Sequence, residues 1–502
     1  MKLTTIIGLE IHVQLKTKSK MFCSCSNDGE NQPPNTTVCP ICLGHPGTLP
    51  VPNRQAIEWS LMASMALNCK IPKVSKFDRK NYFYPDLSKG YQISQLDQPL
   101  GGPGKLEIET DKGKKKIGIT RLHLEEDAAK NTHSADGKNT HVDYNRGGTP
   151  LMEIVTEPDI RSAEDAKLLM QELRLIMRYL GVSDADMEKG HLRCDANISL
   201  TDQTGKIDIE KLKPKTEVKN INSFKAVEKA LEYEIKRQTE LWEQGKPPNQ
   251  LSTRGWNENN NTTEAQRTKE EASDYRYFPE PDIPPLNLDG KADNAFSLES
   301  LTATMPELPA ARRIRFAEEY EIGADEIKIL TDDKPLADYT EQAISELKAW
   351  VKANGKTWTK ERNKLNKELT NWLLNRLVKI ASEAGGKAYD GKVTPENLAE
   401  FVTMIDDGKV AKNIAKQLIV KMYETKKDPS TLIEEEGLTA ADSGELDKII
   451  DKVITNNPKQ VEQFKGGKET VLQFFVGMVM RETKGKADPQ ETADLLKKKL
   501  SN

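Results

Sequence analysis

Four of the chain's six cysteines lie in one short segment, and this feature constrains the fold more than any other. They form two tight pairs, Cys23 with Cys25 and Cys39 with Cys42, in sequence rich in Asn, Pro, Thr and Gly. Thiolates spaced in this way can close on one soft divalent ion in a tetrahedron, and zinc is the usual ion. The spacing therefore predicts a zinc-binding loop over residues 23–42. Four thiolate ligands leave no open coordination position, so we expect this zinc to be structural.

Two other interpretations of these cysteines are open, namely reduced thiols without a metal and disulfides. Disulfides are typical of oxidising compartments, and residues 1–5 lack the apolar stretch of a signal peptide. The sequence also has no apolar run long enough to span a membrane. We therefore expect a cytoplasmic protein without membrane contact. The net charge of −4 excludes a polycation, so any nucleic acid must be bound through a local patch or by shape.

The pattern of apolar residues changes character near residue 296. Before it, alternation predicts strands at residues 5–14, 106–108, 117–125, 190–200, 206–210 and 216–220, with helices after Ser162 and Ser223. The polar, Asn-rich residues 256–267 predict an exposed loop. After residue 296, helical stripes dominate, including residues 365–380 and 410–422 and shorter helices near 445–455, 469–482 and 490–500. We predict an α+β protein with a mixed-sheet domain over residues 1–295, an all-α helical domain over 296–405 and a small helical tail domain over 406–502.

Several of the predicted strands carry polar residues two positions apart, which places their side chains on one face. These sets are Glu10 with His12, His123 with Glu125, Arg193 with Asp195 and Asn197, and Lys215 with Glu217 and Lys219. If the strands join one sheet, one face is apolar and the other collects carboxylates and cations. Such a face suits a magnesium–nucleotide site, because Mg²⁺ prefers a few carboxylates together with phosphate oxygens. For any single set, the alternative is an ordinary solvated face.

Two further runs are unusual. Tyr82, Phe83 and Tyr84 follow two cations and precede a proline, so they could stack on bases or ribose rings, or pack into a half-buried strand. Glu153 has two apolar residues on each side, and a buried glutamate is costly unless it is paired or liganded, so we expect a functional role for it. The sequence contains no Walker phosphate loop, no nucleophile elbow and no Rossmann fingerprint. An ATP-using chain of this kind needs a different nucleotide fold.

Long motifs along the chain resemble those of the B-type family of aspartyl/glutamyl-tRNA amidotransferase subunits. They are residues 9–15, the cysteine cluster followed by residues 44–47, and residues 79–86, 150–159, 193–199, 217–224 and 274–282. Residues 472–480 are similar to the YqeY-type tail of the same family. The resemblance covers essentially the whole chain. The B type fits better than the archaeal E type, because the chain lacks the synthetase-like insertion of the E type.

The resemblance implies that the N-terminal domain is a cradle for the acceptor end of a mischarged tRNA. It implies that the cradle uses ATP and Mg²⁺ to phosphorylate the side-chain carboxylate of tRNA-bound glutamate or aspartate, and that ammonia then displaces phosphate. The ammonia would come from the A-type subunit, an amidase, and the small C-type subunit would brace the pair in a heterotrimer. The helical regions would contact the body of the tRNA. The chain has no Ser-Ser-Lys amidase signature, which agrees with a glutaminase on another polypeptide.

The resemblance also implies the roles of individual residues. Lys80 and Arg146 would assist at the phosphates of ATP or in the ammonia channel. The zinc ligands would be the four clustered cysteines, while Cys69 and Cys194 would belong to the core. The catalytic residues and candidate magnesium ligands are Glu10, His12, Glu125, Glu153, Asp195 and Glu217. The sequence leaves open whether Glu-tRNA(Gln), Asp-tRNA(Asn) or both are substrates.

An alternative function from another class is a zinc-stapled tRNA-binding scaffold that has no kinase step of its own. Several acids on one strand face argue against it, because a scaffold has no use for them.

Overall fold

The structure is a computed structural model that describes residues 2–269, 275–290, 296–436, 443–483, 487 and 489–501. The chain divides into two compact units, Met1–Leu308 and Pro309–Asn502. The first unit mixes strands and helices, the second is helical, and the predicted α+β class is confirmed. The predicted domain boundaries at residues 295 and 405 stay predictions. Asp274, the first residue of one predicted motif, lies outside the described residues.

The first unit contains the strands and four of the helices. Its helices are α1 (Arg54–Ala66), α2 (Ala163–Leu180), α3 (Phe224–Glu243) and α4 (Leu298–Thr304). Its strands are β1 (Thr4–Gln14), β2 (Val74–Ser75), β3 (Asp78–Asn81), β4 (Tyr91–Ser94), β5 (Gly104–Thr110), β6 (Gly113–Glu126), β7 (Lys130–His133), β8 (Thr140–Asp143), β9 (Pro150–Thr156), β10 (Leu192–Thr201), β11 (Thr216–Ile221), β12 (Leu251–Asn257), β13 (Thr262–Lys269), β14 (Phe278–Pro279) and β15 (Leu286–Asn287).

Eight of these strands form the central sheet, in the order β13-β12-β11-β10-β1-β9-β6-β5. The sheet is mixed, because β11 and β12 run parallel while the other neighbours are antiparallel. Alternation along β1 buries Leu9, Ile11 and Val13 in the same core as residues of α2 and α3 such as Leu173 and Leu231. The opposite face of the sheet is therefore left to the polar residues of each strand. The smaller sheet β14-β3-β4 contributes further residues near this face.

The two helices predicted after Ser162 and Ser223 are confirmed. In α2, the Ser162 hydroxyl accepts a hydrogen bond from the backbone N–H of Asp165 at 3.1 Å, as expected of an N-cap. The helix ends at Gly181, whose left-handed backbone (φ 72°) suits glycine. Ser223 caps α3 in the same way, by accepting from the N–H of Ala226 at 3.1 Å.

Two predictions for this unit are wrong. Residues 206–210 do not form a strand, because Asp208 caps a short 3-10 turn, Ile209–Lys211, through the N–H of Glu210 at 3.2 Å. Residues 256–267 are not an exposed loop, since β12 and β13 form an antiparallel hairpin. Only the tip, residues 258–261, is a turn, and Asn261 there adopts a positive φ of 51°.

The second unit consists of helices around two apolar cores, the first drawn from residues 316–433 and the second from residues 446–500. The predicted stripes at 365–380 and 410–422 lie in the first core, and the three predicted C-terminal helices are confirmed. A π-helical turn, Leu373–Leu377, joins the helix Trp358–Trp372 to the helix Val378–Glu383. No helix in the described part of the chain is long and apolar enough to cross a membrane. The helices are α5 (Pro309–Tyr320), α6 (Ala324–Thr331), α7 (Lys334–Ala353), α8 (Trp358–Trp372), α9 (Val378–Glu383), α10 (Pro395–Asp406), α11 (Lys412–Thr425), α12 (Pro429–Glu436), α13 (Ser443–Thr455), α14 (Pro458–Lys465), α15 (Val471–Glu482) and α16 (Pro489–Ser501).

Candidate metal and phosphate site

The register of the central sheet brings the predicted acids and histidines together on its polar face. His12 on β1 lies directly opposite Glu153 on β9, and Glu153 in turn lies opposite His123 on β6. On the other side of β1, Glu10 lies opposite Asp195 of β10. Residues directly opposite in antiparallel strands have Cβ atoms about 5 Å apart. These strands do belong to one sheet, which is the condition on which the sequence-based interpretation of a shared polar face depends.

Five of these side chains form a close group, which we call the carboxylate cluster: Glu10, His12, His123, Glu125 and Glu153. The carboxylate of Glu153 lies at its centre, 3.4 Å from Nε2 of His12 and 3.4 Å from Nε2 of His123. His12 Nε2 also lies 3.8 Å from Glu10 and 3.9 Å from Glu125, and His123 Nε2 lies 3.7 Å from Glu125. Two overlapping sets of three, both including Glu153, have ligand atoms within 4.8 Å of one another. Either set could hold a metal ion.

Burial shapes the charges of this cluster. Glu153 and Glu125 are 4% and 3% exposed, and burial alone disfavours their charged forms. At Glu153 the two histidines outweigh burial and hold the pKa well below its ordinary value, whereas His123 and Lys80 lower the pKa of Glu125. Burial also disfavours the charged form of His123, which lowers its pKa. The negative charges of Glu153 and Glu125 outweigh burial and raise the pKa to about 9. Glu10 is more exposed, and burial together with the charge of Glu153 raises its pKa. Glu153 is thus buried and paired with both histidines, and its expected functional role stays a prediction.

Lys80 faces the cluster from the smaller sheet. It lies on β3, and its Nζ is 5.0 Å from the ring centroid of Tyr275 and 5.9 Å from that of Tyr82. Burial lowers the pKa of Lys80, but nearby negative charge, that of Glu125 above all, raises it overall. On the next strand, the Ser94 hydroxyl donates to Glu125 at 3.1 Å. A charged ammonium and a hydroxyl therefore border the acids, and an ammonium can form strong hydrogen bonds to a phosphate.

Asp195 and Glu217 lie on the same face but form a second group around Lys219. The ammonium of Lys219 contacts Asp195 and lies 3.3 Å from Glu217 Oε1. Thr253 donates its hydroxyl to Glu217 Oε2 at 3.1 Å. The register opposite Glu10 makes Asp195 the residue that connects this group to the carboxylate cluster.

Arg146 lies in the turn before β9, where it holds the backbone. Its guanidinium donates to the carbonyls of Ala128 and Ala129 at 2.9 and 2.7 Å, and its Nε lies 3.7 Å from Asp127. Asp127 also accepts from Arg193 at 2.7 Å, and these two cations lower its pKa against the effect of burial. In this structure Arg146 thus orders the segment that leads into the cluster.

The four clustered cysteines converge as their spacing predicts. Their Sγ atoms all lie within 4.8 Å of one another, and those of Cys39 and Cys42 are 3.8 Å apart. A zinc–sulfur bond of about 2.3 Å in a tetrahedron places sulfurs roughly 3.8 Å apart. The backbone N–H of Cys39 donates to the Cys42 sulfur at 3.1 Å, and a hydrogen bond from Cys23 lowers the pKa of Cys42 to about 5. Burial raises the pKa of Cys25 to about 11. The donor set fits a soft divalent metal.

Cys194 is buried in the core of the first unit, as expected, and the partly buried Cys69 packs against the same core. The aromatic run is divided: Tyr82 is partly buried beside Lys80, whereas Phe83 and Tyr84 are exposed.

One residue of the cluster is missing from the predicted catalytic set. His123 lies two positions before Glu125 on the same strand face, so the alternation that selects Glu125 also selects His123. Ser94 is also missing, and nothing in the short strand Tyr91–Ser94 indicates that it approaches Glu125.

Comparison with known proteins gives full-length matches. The sequence model of the family described as "GatB/GatE catalytic domain" matches residues 5–293, and that of the "GatB domain" matches residues 356–500. A protein of Thermotoga sp. (strain RQ2), named as the B-type subunit of an aspartyl/glutamyl-tRNA(Asn/Gln) amidotransferase, is 46% identical over 506 residues, which cover 100% of this chain and 99% of the relative. Proteins of the same name from Carboxydothermus hydrogenoformans and Persephonella marina are 46% and 44% identical, covering 99% and 100% of this chain and 98% and 100% of the relatives.

Proposed function

The chain belongs to the B-type family of aspartyl/glutamyl-tRNA(Asn/Gln) amidotransferase subunits, and we propose that the carboxylate cluster carries out the ATP-dependent step. The amidotransferase is a ligase that acts in protein biosynthesis, and this chain is its B-type component. The observation that carries the proposal is the convergence of two histidines and three carboxylates from three neighbouring strands, bordered by Lys80.

The proposed chemistry follows from the substrate. A carboxylate resists attack by ammonia, because its oxygen is a poor leaving group. In the first step, a side-chain carboxylate oxygen of tRNA-bound glutamate or aspartate attacks the γ-phosphorus of ATP, and ADP leaves. In the second step, ammonia attacks the carbonyl carbon of the acyl phosphate, loses a proton, and inorganic phosphate leaves. The product is glutaminyl-tRNA(Gln) or asparaginyl-tRNA(Asn).

The cluster supplies hard oxygen donors that fit magnesium. We propose Glu10, Glu125 and Glu153 as the groups that hold Mg²⁺, with His12 and His123 orienting the carboxylates beside them. When bound, Mg²⁺ neutralises phosphate charge and orients the transferring group. Asp195 and Glu217 form the outer part of the same face, and they would keep Lys219 available to the phosphates.

The cations near the cluster have separate proposed parts. Lys80 would bind a phosphate oxygen, since its charge is kept by the acids it faces. Arg146 would assist indirectly, because its bonds to the Ala128 and Ala129 carbonyls order the turn that enters β9.

We propose zinc as the metal of the four cysteines, because four thiolates at tetrahedral spacing are typical of closed zinc sites. Cys23, Cys25, Cys39 and Cys42 would fix the loop between β1 and α1 without touching the substrate. A protein that is active without metal would contradict this role.

The word "subunit" in the relatives' name supports an assembly with further chains. We propose that the partners are the A-type subunit, an amidase that supplies ammonia, and the small C-type subunit, in a cytoplasmic heterotrimer. The charged tRNA would place its acceptor end at the carboxylate cluster, and the helical regions would contact its body.

The test is amidation by the assembled enzyme. It uses glutamine, ATP, Mg²⁺ and Glu-tRNA(Gln) or Asp-tRNA(Asn), with glutamine hydrolysis measured in parallel. We expect Glu10→Ala to abolish amidation while the amidase still hydrolyses glutamine. Unchanged amidation would remove Glu10 from the mechanism. Comparison of the two charged tRNAs would also identify the substrate.

A further inference from the structure

Lys20 is a cation buried beside the four cysteines, and the proposed function does not use it. Its side chain is 1% exposed, which is rare for lysine. Its Nζ donates to the carbonyl oxygen of Tyr144 at 3.2 Å and lies 4.0 Å from the sulfur of Cys42. Within the part of the chain that the structure describes, no carboxylate lies within 4.0 Å of this ammonium. The nearest group that can carry a negative charge is therefore a cysteine sulfur.

The charges explain why such a lysine is tolerated. A buried ammonium is costly unless an opposite charge faces it, and a carbonyl satisfies one donor without neutralising the charge. Four thiolates around one divalent ion leave two excess negative charges. This excess negative charge is also costly to bury, so the Lys20 ammonium and the metal–thiolate centre stabilise each other. We propose that Lys20 is the counter-cation of the metal–thiolate centre, an inference that rests on the proposed zinc site.

The same lysine connects the metal loop to the strand that carries Glu153. A Cβ added at Gly148, whose φ is +86°, would lie 3.4 Å from Cδ of Lys20, so the lysine stem runs over this glycine. The N–H of Met21 donates to the Gly148 carbonyl at 2.7 Å, and the Tyr144 carbonyl accepts a hydrogen bond from the Lys20 ammonium. The segment between Tyr144 and Gly148 leads directly into β9. Lys20 is thus a positioning residue through which the metal centre supports β9.

The first experiment measures how fast zinc leaves the intact complex when a chelating dye is added. Lys20→Met removes the charge and keeps most of the volume, and Lys18→Met is the matched control because Lys18 is exposed on the same loop. Loss of a group that tunes metal ligands typically weakens metal binding about tenfold to a hundredfold. We expect zinc to leave Lys20→Met faster by about that factor, with Lys18→Met unchanged. Equal rates in all three proteins would overturn the proposal.

A second measurement needs no substitution and so does not depend on whether the variant folds. The wild-type complex is treated with an amine-acetylating reagent before and after zinc is removed, and acetylation of each lysine is read by mass spectrometry. We expect Lys20 to be protected in the zinc-loaded protein and acetylated after chelation, while Lys18 is acetylated in both. Protection of Lys20 in both states, or acetylation in both, contradicts the proposal.

The zinc content of the wild-type protein is measured first. A protein without zinc would refute both the proposed metal and the proposed role of Lys20. Bound zinc that leaves Lys20→Met at the wild-type rate would refute the role of Lys20 alone.

Discussion

The two candidate metal sites of the first unit are built in opposite ways. The cysteine site takes its ligands from irregular loop residues between Met21 and Leu43. In the described structure, the backbone of this loop forms no hydrogen bonds with strands of the central sheet. The carboxylate cluster takes its ligands from three paired strands, whose register fixes each position. We therefore expect the first site to depend on a bound metal for its order, whereas strand register holds the residues of the second in place.

The charges follow the same division. In the carboxylate cluster, His12 and His123 offset the buried acids, so the side chains are paired without an ion. In the cysteine site, burial raises the pKa of Cys25 to about 11, and a divalent cation is what allows all four sulfurs to ionise together. Preorganisation thus suits a site that does chemistry, while dependence on the ion suits a site that holds a loop.

Substitution of Glu153 should lower the amidation rate more than substitution of Lys80 or Glu234. Glu153→Gln keeps the shape of the central carboxylate and removes its charge, so we expect the amidation rate to fall by about a hundredfold to a thousandfold. Ammonium chloride serves as the nitrogen source, so that the amidase does not limit the rate. Glu109→Gln, an exposed position on β5, is the control. Near-normal amidation in Glu153→Gln would instead show that the buried acid is only structural.

Removal of the zinc should affect the cysteine loop and the central sheet differently. After chelation, we expect backbone amides of residues 20–53 to exchange with solvent much faster, while those of β1 and β10 stay protected. Hydrogen exchange read by mass spectrometry reports both regions in one experiment. Equal loss of protection in the loop and in the sheet would show that the zinc organises the whole unit, and the contrast between the sites would fail.

Lys80→Met should have an intermediate effect. Removal of a cation that binds phosphate should lower amidation by about tenfold to a hundredfold and raise the KM for ATP. Lys80→Arg should restore part of the loss, since it keeps the charge. An unchanged KM for ATP in Lys80→Met would assign this lysine to another role, such as the polarity of the ammonia path.

The smallest effect on activity concerns a buried acid outside both sites. Glu234 on α3 is fully buried, and its carboxylate binds Arg237 at 2.8 Å and Arg254 at 3.2 Å. Burial raises its pKa, but Arg237 outweighs burial and lowers the pKa below its ordinary value. Because the pKa is lowered on folding, Glu234 stabilises the fold above about pH 4.5 and the contribution is lost as the pH falls further.

We expect Glu234→Gln to cost about 3 kcal/mol at pH 7 with little change in amidation. Urea unfolding at pH 7 and at pH 4 checks this, since the difference from wild type should shrink at the lower pH. A difference that grows with acidity would contradict the assignment of charge to Glu234.

Much of the fold can be predicted from local pattern. Alternation along β1 separates Leu9 and Ile11 from Glu10 and His12, and the capping residue Ser162 marks the start of α2. The hairpin β12–β13 is missed because its strands are polar, and because its Asn-rich tip lacks the glycine that marks a hairpin turn. Prediction from local sequence pattern succeeds where one face of a strand or helix must be buried, and it fails at the edge of a sheet.

The site could be predicted only in part. The residue pairs are visible in the sequence, but their convergence depends on strand order, and β9 lies between β1 and β6 only through long-range pairing. Lys80 and Ser94 come from a different sheet, and no spacing rule connects them to Glu125. The cysteine site is the converse case, because all of its ligands are close in sequence and their spacing alone predicts it.

Phosphorylation by the proposed carboxylate cluster can be measured as ADP release. The complex of this chain with its amidase partner is mixed with ATP and Mg²⁺, with and without mischarged tRNA, for wild type and Glu125→Ala. We predict ADP release that requires the mischarged tRNA in the wild type and disappears in Glu125→Ala, while tRNA binding is retained. If the wild type binds the tRNA tightly but releases no tRNA-dependent ADP, this chain is a scaffold and the ATP site lies elsewhere.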